Sequence, residues 1–442
     1  MESRQRAKSA AAWRTMPPPT WSMRDVQGRD LPPDLLSEIH CRLDFVNRLN
    51  FALGLGSVAS RRILNAEGPC LVLPSDDTDE TATLFSLAGR QVAIAHAPDP
   101  AMCRHVVVGS SGGWLVTADL RGRLRMANPV TGEQAVLPEI TKGTIPFFDR
   151  YDFVLDMNAF SNIRFGGCRP DKEFWGGTFT HAGWQMRKWF YRKVVLSASP
   201  RPGNYAAMVI LEQRFGAPAF ATSQVPAWRL APSRDGVEDA IHHDGRFYSI
   251  TYTGVVEAWD RHPRTGQYRS RALGPRLPGD GFQLFRKYVA ASPDGRLMAV
   301  IKELKKVDKG YYNSWDEKWE PAFKVMVLDE ARGRWVEERD IGDTALFVGV
   351  NNSIFVSTKK CSGIKAGCVY YADDELGQAS LRLEKGEYGS VSSRSSIDGD
   401  RLPDYNLRDL GVYSLQDGTV KRVGGLPKHK CWPPPAWFTP SV

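Results

Sequence analysis

The stretch "GRFYSITYTGVVEAWD", residues 245–260, decides the fold class of this chain. Two sets of side chains alternate along its first half, Tyr248, Ile250 and Tyr252 with Phe247, Ser249 and Thr251. A period of two residues is typical of a β-strand, whose successive side chains point to opposite faces. Gly254 then supplies a turn before the apolar run from Val255 to Trp259. We therefore predict a β-hairpin here.

The same arrangement recurs along the chain. Four stretches place a turn rich in Gly or Asn between two apolar runs, and a second hairpin follows each of them: 106–119, 241–253, 288–302 and 346–358. The turns at Gly245 and Gly295 are 50 residues apart, and the next, near Asn352, comes 57 residues later. Kelch repeats have a period of about 50 residues. We predict a mainly β chain with a kelch-like β-propeller and leave the number of blades open; a pair of β-sandwiches is the alternative.

Composition narrows the class of protein. The chain has 442 residues, of which 42% are hydrophobic and 24% charged, as in ordinary globular proteins. Its formal charge of +8 is spread along the sequence, so we do not expect nucleic-acid binding. The seven cysteines form no CxxC pair, which argues against a zinc site or a disulfide framework. We expect no metal, no cofactor, no secretory signal and no membrane span, and a location in the cytoplasm, the nucleus or both.

A helical signal precedes the β pattern. In "RDLPPDLLSEIHCRL", residues 29–43, apolar side chains recur at separations of three and four behind two prolines that suit a first turn. A second such run covers 45–53, and Gly54 and Gly56 weaken the pattern. We predict three regions: a flexible lead-in at 1–27, a small α-helical domain at 28–66 and the β domain at 67–442. A flexible insertion is expected near 385–405.

Three motifs have a functional interpretation, as a catalytic, metal-binding or nucleic-acid-binding site, beside a structural one. "GSSGG", residues 109–113, matches the nucleophile elbow with Ser111 as nucleophile, but a strand follows where the elbow needs a helix. His242, His243 and Asp244 suggest a metal or a general base, whereas Asp-Gly is a common hairpin dipeptide. "WQMRKWFYRK", residues 184–193, interleaves aromatic and basic residues as a nucleic-acid platform would. In each case we favour the structural interpretation: two hairpin turns, and a strand with Arg and Lys facing solvent. We therefore expect no catalytic residue.

Taken together, "LPPDLLSEIHCRLDFVNRLNFAL" resembles an F-box. The rest of the chain resembles plant F-box proteins whose C-terminal part is the domain of unknown function 295, a kelch-like propeller. The stretches that carry this resemblance are "GSSGGWLVTAD", "NPVTGEQAVLP", "DGRFYSITYTGVVEAWD", "LFVGVNNSIFV", "CVYYADD", "DLGVYSLQDGTV" and "WPPPAWFTP".

The resemblance implies a non-catalytic substrate-recognition subunit of an SCF-type cullin–RING ubiquitin ligase. Its F-box would bind a Skp-type adaptor and, through it, the cullin, while the propeller would bind an unknown target protein for ubiquitination. The expected adaptor-binding residues are Leu31, Pro32, Leu35, Leu36, Ile39 and Leu43. We expect Leu31 and Pro32 to contact the adaptor and the other four to be divided between the interface and the F-box core.

An alternative follows from "GLGSVAS", residues 54–60. Leu55 and Val58 stand where F-boxes of this family commonly have Cys and Trp. On this alternative the F-box is degenerate and no longer engages the ligase, and the propeller is a protein-interaction or regulatory module.

Overall fold

Six β-sheets dominate the computed structural model of the chain, which is mainly β. The structure describes residues 33–43, 47, 68–74, 82–95, 105–140, 154–156, 178–180, 183–211, 216–233, 235–278, 286–307, 318–329, 331–361, 363–376, 379–380, 409–429 and 432–441. None of the helices in these ranges is long and apolar enough to cross a membrane.

Each sheet is one blade of a propeller, and most blades use consecutive antiparallel strands. Blade 1 contains β1 (Cys70–Leu73), β2 (Ala82–Ser86) and β3 (Gln91–Ala95), and blade 2 contains β4 (Val106–Ser111), β5 (Trp114–Ala118), β6 (Leu124–Ala127) and β7 (Gln134–Val136). A separate pair, β8 (Val154–Asp156) and β9 (Thr178–Thr180), precedes blade 3. Blade 3 contains β10 (Tyr191–Leu196), β11 (Ala206–Leu211), β12 (Ala219–Thr222) and β13 (Val225–Leu230).

The second half of the ring is built in the same way. Blade 4 contains β14 (Val237–His243), β15 (Arg246–Thr251), β16 (Val256–Arg261) and β17 (Tyr268–Ala272), and blade 5 contains β18 (Arg286–Ala291), β19 (Leu297–Val307), β20 (Lys318–Asp329) and β21 (Arg334–Glu338). Blade 6 contains β22 (Thr344–Val348), β23 (Ile354–Ser357), β24 (Cys368–Tyr371), β25 (Gly411–Ser414) and β26 (Val420–Lys421). Its order is β23-β22-β24-β25-β26, with β22 and β24 parallel. The last strand of the chain, β27 (Ala436–Phe438), belongs to blade 1.

In blades 2 to 5 the first strands lie side by side and form inner strands of the ring, while β23 of blade 6 and β27 of blade 1 contact their neighbours β18 and β4. β4 contacts β10, β10 contacts β14, and β14 contacts β18. Buried apolar side chains fill the space between neighbouring blades; Ile241 and Ile250 of blade 4, for example, pack with Val289 and Ala299 of blade 5. Blades that pack face to face around a ring leave only short sheet edges exposed, as is typical of a β-propeller. The sandwich alternative is therefore wrong.

The ring is closed by pairing between the first and last strands named here, β1 and β27. In β27, Trp437 lies opposite Leu71 of β1, so the C-terminal strand completes the blade that the N-terminal strands begin. Trp437 is fully buried, and its ring centroid lies 5.1 Å from that of Phe347 in blade 6. On the other side, β27 contacts β4 of blade 2. A three-residue strand therefore joins blades 1, 2 and 6.

The hairpins predicted from the turn spacing are confirmed. β15 pairs with β16 in the register Tyr248↔Ala258, and β14 pairs with β15 around Asp244 and Gly245. Both turn residues have positive φ, 45° and 75°, the left-handed conformation that Asp-Gly favours. Gly295 makes the corresponding turn in blade 5, with φ 84°.

Two helices are described over their full length: α1 (Pro33–Arg42) and α2 (Gly183–Trp189). α1 confirms the first helical run. Of the second run, 45–53, the structure describes Asn47 alone, as helical, so a complete α-helical F-box at 28–66 stays a prediction. The lead-in at 1–27, the insertion near 385–405 and the 54–60 segment lie outside the described residues.

Candidate functional site

Helix α1 carries the adaptor-binding residues expected from sequence. Leu35 is 52% exposed, while Ile39 and Leu43 are half-buried. Leu31, Pro32 and the side chain of Leu36 lie outside the described residues. Beside Leu35 the helix surface is charged: the Arg42 guanidinium binds the Glu38 carboxylate one turn earlier, with Nη2 and Oε1 2.6 Å apart. A single exposed leucine is common on protein surfaces, so α1 by itself does not define an interface.

A second candidate is a cluster of charged side chains at the start of the inner strands. We call it the central charge cluster, and it consists of Lys193 on β10, Glu238 and Asp239 on β14, Arg286 and Lys287 on β18, and Asp374 after β24. All six residues are buried. Burying a charge is costly unless it is paired and hydrogen-bonded, so the geometry of these pairs matters.

Three short ion pairs join different blades. The Nζ atom of Lys193 lies 2.7 Å from Oδ1 of Asp239. The Nε atom of Arg286 lies 2.6 Å from Oδ2 of Asp374, and Nζ of Lys287 lies 2.9 Å from Oε2 of Glu238. These pairs link blade 3 to blade 4, blade 5 to blade 6 and blade 5 to blade 4.

Backbone groups complete the cluster. The carboxylate of Glu238 accepts a hydrogen bond from the backbone N–H of Lys287 at 3.0 Å, and that of Asp239 accepts one from Val289 at 3.0 Å. Arg286 donates from Nη1 to the carbonyl oxygen of Glu238 at 2.6 Å. Side chains of β14 thus bond the backbone of β18, which fixes the two inner strands against each other.

Burial and charge act against each other in the cluster. Burial lowers the pKa of the Lys193 ammonium, and Asp239 opposes it without restoring the ordinary value. For Arg286, burial also works to lower the pKa, but Asp374 and Glu238 outweigh it and raise the pKa. Burial works to raise the pKa of Asp374, and Arg286 and Arg192 outweigh it and lower the pKa. Arg286 and Asp374 therefore stay ionised as a pair.

The cluster corrects one interpretation of the sequence. "WQMRKWFYRK" was expected to be a strand with Arg and Lys facing solvent, and this is wrong: its first part is helix α2, and Lys193 is fully buried. The sequence does contain a signal for the cluster. Arg192-Lys193, Glu238-Asp239 and Arg286-Lys287 are charged pairs of alternating sign near the starts of successive apolar inner strands.

Ser111 is the last residue of β4 and directly precedes a hairpin turn, which agrees with the structural interpretation of the sequence. Gly112 and Gly113 have φ of 54° and 84°, and β5 follows them directly. The Ser111 hydroxyl donates to the carbonyl of Leu196 at 3.3 Å and accepts from Nδ2 of Asn352 at 2.8 Å. An amide and a carbonyl cannot serve as a general base, so this geometry offers no activation of the hydroxyl.

The histidine pair also has a structural role. Nδ1 of His242 accepts a hydrogen bond from the backbone N–H of Ala198 at 3.1 Å, which joins blade 4 to blade 3. Burial lowers the pKa of His242 to about 4, so the ring is neutral near pH 7. Within the described ranges, no three His, Cys, Asp or Glu side chains come together as metal ligands would.

Blade 5 carries a projecting two-stranded ribbon at the end of the propeller where the central charge cluster lies. β18 begins at Arg286, opposite Lys302, but β19 continues to Val307 and stays paired with β20 back to Lys318. We call residues 303–307 and 318–322 the ribbon, and the end of the propeller where the inner strands begin the upper face. Leu304 on the ribbon is 54% exposed. Beyond Lys302, β19 has β20 as its single strand partner in the described part of the chain.

This architecture defines a β-propeller protein. Its described surface exposes Leu35 on α1 and Leu304 on the ribbon, while Ser111 and His242 make hydrogen bonds within the fold. The sequence of residues 84–414 matches the family model described as the KIB1-4 beta-propeller, and the chain belongs to that family.

Two curated relatives and two solved structures are similar to parts of this chain. F-box protein At2g17036 of Arabidopsis thaliana is 26% identical over 253 residues, a match that spans about half of each chain, 54%. F-box protein SKIP23 of Arabidopsis thaliana is 22% identical over 383 residues, covering 81% of each chain. Among solved structures, U3-55K covers 59% of this chain and 63% of its own at 10% identity and a TM-score of 0.27. A Cps50 (Swd1) β-propeller domain from Myceliophteria thermophila covers 70% and 90%, with 10% identity and a TM-score of 0.28.

Proposed function

We propose that this protein is a substrate-recognition subunit of an SCF-type cullin–RING ubiquitin ligase, acting in the cytoplasm or the nucleus. Its N-terminal helical part binds a Skp-type adaptor and so the cullin, and its propeller binds a target protein. The observation that carries the proposal is the propeller-family match together with two plant relatives that are named F-box proteins. Under the proposal the protein contributes binding and no catalytic group. The finer assignment to a kelch-like propeller of the domain of unknown function 295 stays a prediction.

Helix α1 supports the adaptor half of the proposal. It presents Leu35 to solvent next to Glu38 and Arg42, so an apolar side chain is available beside a charged rim. An apolar anchor surrounded by polar residues is the usual composition of a protein-interaction site. Ile39 lies one turn further along the same helix and is half-buried, which suits a residue shared between interface and core.

The adaptor half is tested by co-purification of the full chain with a Skp-type adaptor and cullin. Leu35→Asp is expected to remove both proteins from the eluate, because a charged carboxylate replaces an apolar anchor worth about 2 kcal/mol or more. Val336→Asp is the matched control, since it makes the same apolar-to-acidic change at an exposed residue of the propeller. If wild type recovers neither adaptor nor cullin, the ligase proposal fails and a propeller interaction module with a degenerate F-box takes its place.

The ribbon supports the target half. Its strands lie beyond β18 and β21, so main-chain N–H and C=O groups along their outer edges have no strand partner among the described residues. Unpaired strand edges bind extended peptides by adding a strand, and neighbouring apolar side chains give specificity. Leu304 supplies such a side chain beside the charged residues Glu303 and Lys305.

The target half is tested by comparing the proteins that co-purify with wild type and with Leu304→Asp. We expect the variant to lose target proteins and to keep the adaptor, because Leu304 is remote in sequence from α1. Val336→Asp is the matched control: Val336 is 42% exposed on β21, the outer strand of the same blade. An identical set of recovered proteins for wild type and Leu304→Asp would contradict the ribbon as the target site.

A further inference from the structure

A cavity of about 320 Å³ opens between blades 1 and 6, away from the central charge cluster and the ribbon. Its wall includes the turn between β2 and β3, the loop before β24 and the hairpin from β25 to β26. The charged residues of the wall are Arg90, Lys365, Lys421, Arg422 and Asp417. We call this cavity the basic pocket. Its volume is at the lower end of the range for small-molecule sites.

The four basic residues have no countercharge in the pocket other than Asp417. The described residues provide no ion pair for Arg90, Lys365, Lys421 or Arg422. The Asp417 carboxylate accepts a hydrogen bond from the Ser414 hydroxyl at 2.9 Å instead. The pocket therefore holds four cations against one anion, an excess of three positive charges. All four basic side chains are exposed, so a ligand can reach them from solvent.

The fold holds the walls of the pocket in place. Arg90 has a φ of 51°, and its side chain runs along Gly425, where an added Cβ would lie 3.3 Å from its Cδ. At Gly363, an added Cβ would lie 3.0 Å from the carbonyl oxygen of Leu87, so the loop before β24 approaches blade 1 closely. The backbone N–H of Lys365 donates to the Tyr370 hydroxyl at 2.9 Å, which ties that loop to β24.

We propose that the basic pocket binds a phosphate monoester, either free or as the phosphorylated side chain of a protein. Near pH 7 such a group carries about −1.5 to −2 charges and three acceptor oxygens. Guanidinium groups bind phosphate in a bidentate manner and ammonium groups bind it as point charges, so two arginines and two lysines suit this ligand. A single carboxylate would neutralise less of the excess charge. The Ser414 and Thr419 hydroxyls in the same wall are further hydrogen-bonding groups.

The experiment measures binding to the full chain by isothermal titration calorimetry with five probes. These are inorganic phosphate, O-phosphoserine, the capped tripeptide Gly-phosphoserine-Gly, its unphosphorylated form and the Gly-Glu-Gly analogue. We expect the two phosphoserine probes to bind at least 10-fold more tightly than the Glu analogue, and the unphosphorylated peptide not to bind. Binding should weaken as salt rises, because the contact is between exposed charges. Tighter binding of the tripeptide than of O-phosphoserine indicates a protein source, and the reverse indicates a free phosphate ester.

The variant that tests the pocket is Arg90→Gln/Lys421→Gln. It is expected to weaken phosphoserine binding at least 10-fold and to leave thermal stability unchanged or raised, because two unpaired cations are removed. Arg269→Gln, on the exposed face of β17 in blade 4, is the matched control and should bind like wild type. The proposal is overturned if wild type binds no phosphate probe at millimolar concentration, or if the double variant binds as wild type does. Neither result bears on the adaptor or the ribbon, so the proposed function is judged separately.

Discussion

Lys193 and Asp239 meet 2.7 Å apart, Nζ to Oδ1, with neither side chain exposed, and they come from the inner strands of adjacent blades. A buried pair of this kind is not by itself a source of stability, since desolvation cancels much of the attraction. Losing one partner is different, because the remaining charge is left buried and unpaired. The pair therefore fixes the position of blade 3 relative to blade 4.

Lys193→Met is expected to lower the free energy of unfolding by about 3–5 kcal/mol, the usual cost of breaking a buried ion pair. Urea denaturation followed by tryptophan fluorescence measures this change. The double variant Lys193→Met/Asp239→Asn removes both charges while leaving an oxygen that can accept from the N–H of Val289. It should be more stable than the single variant.

The control for this prediction is an exposed ion pair. Arg296 and Asp294 lie 2.6 Å apart with about half of each side chain in solvent, 52% and 57%. Arg296→Ala should lower the free energy of unfolding far less than Lys193→Met does, because solvent screens the exposed pair. Equal effects of Lys193→Met and Arg296→Ala would show that the central charge cluster does not hold the blades.

Gly109→Ala is expected to be among the most damaging small substitutions in the chain. A Cβ at this position would lie 2.0 Å from the carbonyl oxygen of Val194, a backbone atom on the neighbouring inner strand β10. Since backbone cannot rotate away, β4 and β10 must separate, at a cost of about 3 kcal/mol or more. The change in melting temperature measures it.

Gly295→Ala provides the comparison. Gly295 has a φ of 84° and open space around it, so the cost there is backbone strain alone, about 1 kcal/mol. If both variants melted at the same temperature, the close approach of β4 to β10 would be unimportant for stability.

Part of this structure is readable from the sequence, and part is not. The turns at Gly245 and Gly295 predict blades 4 and 5 because Asp-Gly dipeptides and two-residue alternation act locally. The number of blades could not be read in this way, because β10 and β11 are joined by a turn without that signature. Lys193 looks like a surface residue until Asp239, from the next blade, is placed beside it. Closure by β27 depends on pairing between the two ends of the chain, which no local pattern reports.

Substitutions at two buried tryptophans separate packing from hydrogen bonding. The indole N–H of Trp259 donates to the Ser249 hydroxyl at 2.8 Å, whereas that of Trp437 has no hydrogen-bond partner among the described residues. Trp259→Phe should therefore cost about 1 kcal/mol more than Trp437→Phe, since it removes a hydrogen bond that the Trp437 indole does not make within the described residues. Chemical denaturation of both variants measures the difference.

Trp437→Ala tests ring closure directly. Removing a fully buried indole that contacts Phe347 of blade 6 should cost about 3–5 kcal/mol. Because β27 completes blade 1, we also expect the region around residues 70–95 to exchange its amide hydrogens faster in this variant. Uniform protection in hydrogen exchange, with unchanged stability, would contradict closure by the C-terminal strand.

The raised pKa of the Glu257 carboxyl group leads us to predict that the stability of the fold depends on pH. Its carboxyl group is buried between strands of blade 4, and burial raises its pKa to about 7, although Ser270 and Ser249 hydrogen-bond to it at 3.1 and 3.4 Å. In the unfolded chain the pKa is near the ordinary 4.5. The unfolded chain thus releases its proton first as pH rises. The stabilising contribution of the neutral acid is complete below pH 4.5 and is lost as pH rises towards about 7.

Glu257→Gln keeps the shape and the hydrogen-bonding capacity of the neutral acid but cannot ionise. It should be more stable than wild type above about pH 7, by up to about 3 kcal/mol for a shift of this size, and similar below pH 4.5. Urea midpoints measured from pH 4 to pH 8 give the two curves.

His105 acts in the opposite direction, since burial lowers its pKa to about 4 and its protonation destabilises the fold in acid. The test is therefore the difference between variant and wild type, in which the His105 contribution cancels. A constant difference across the pH range would show that Glu257 does not titrate between the two states.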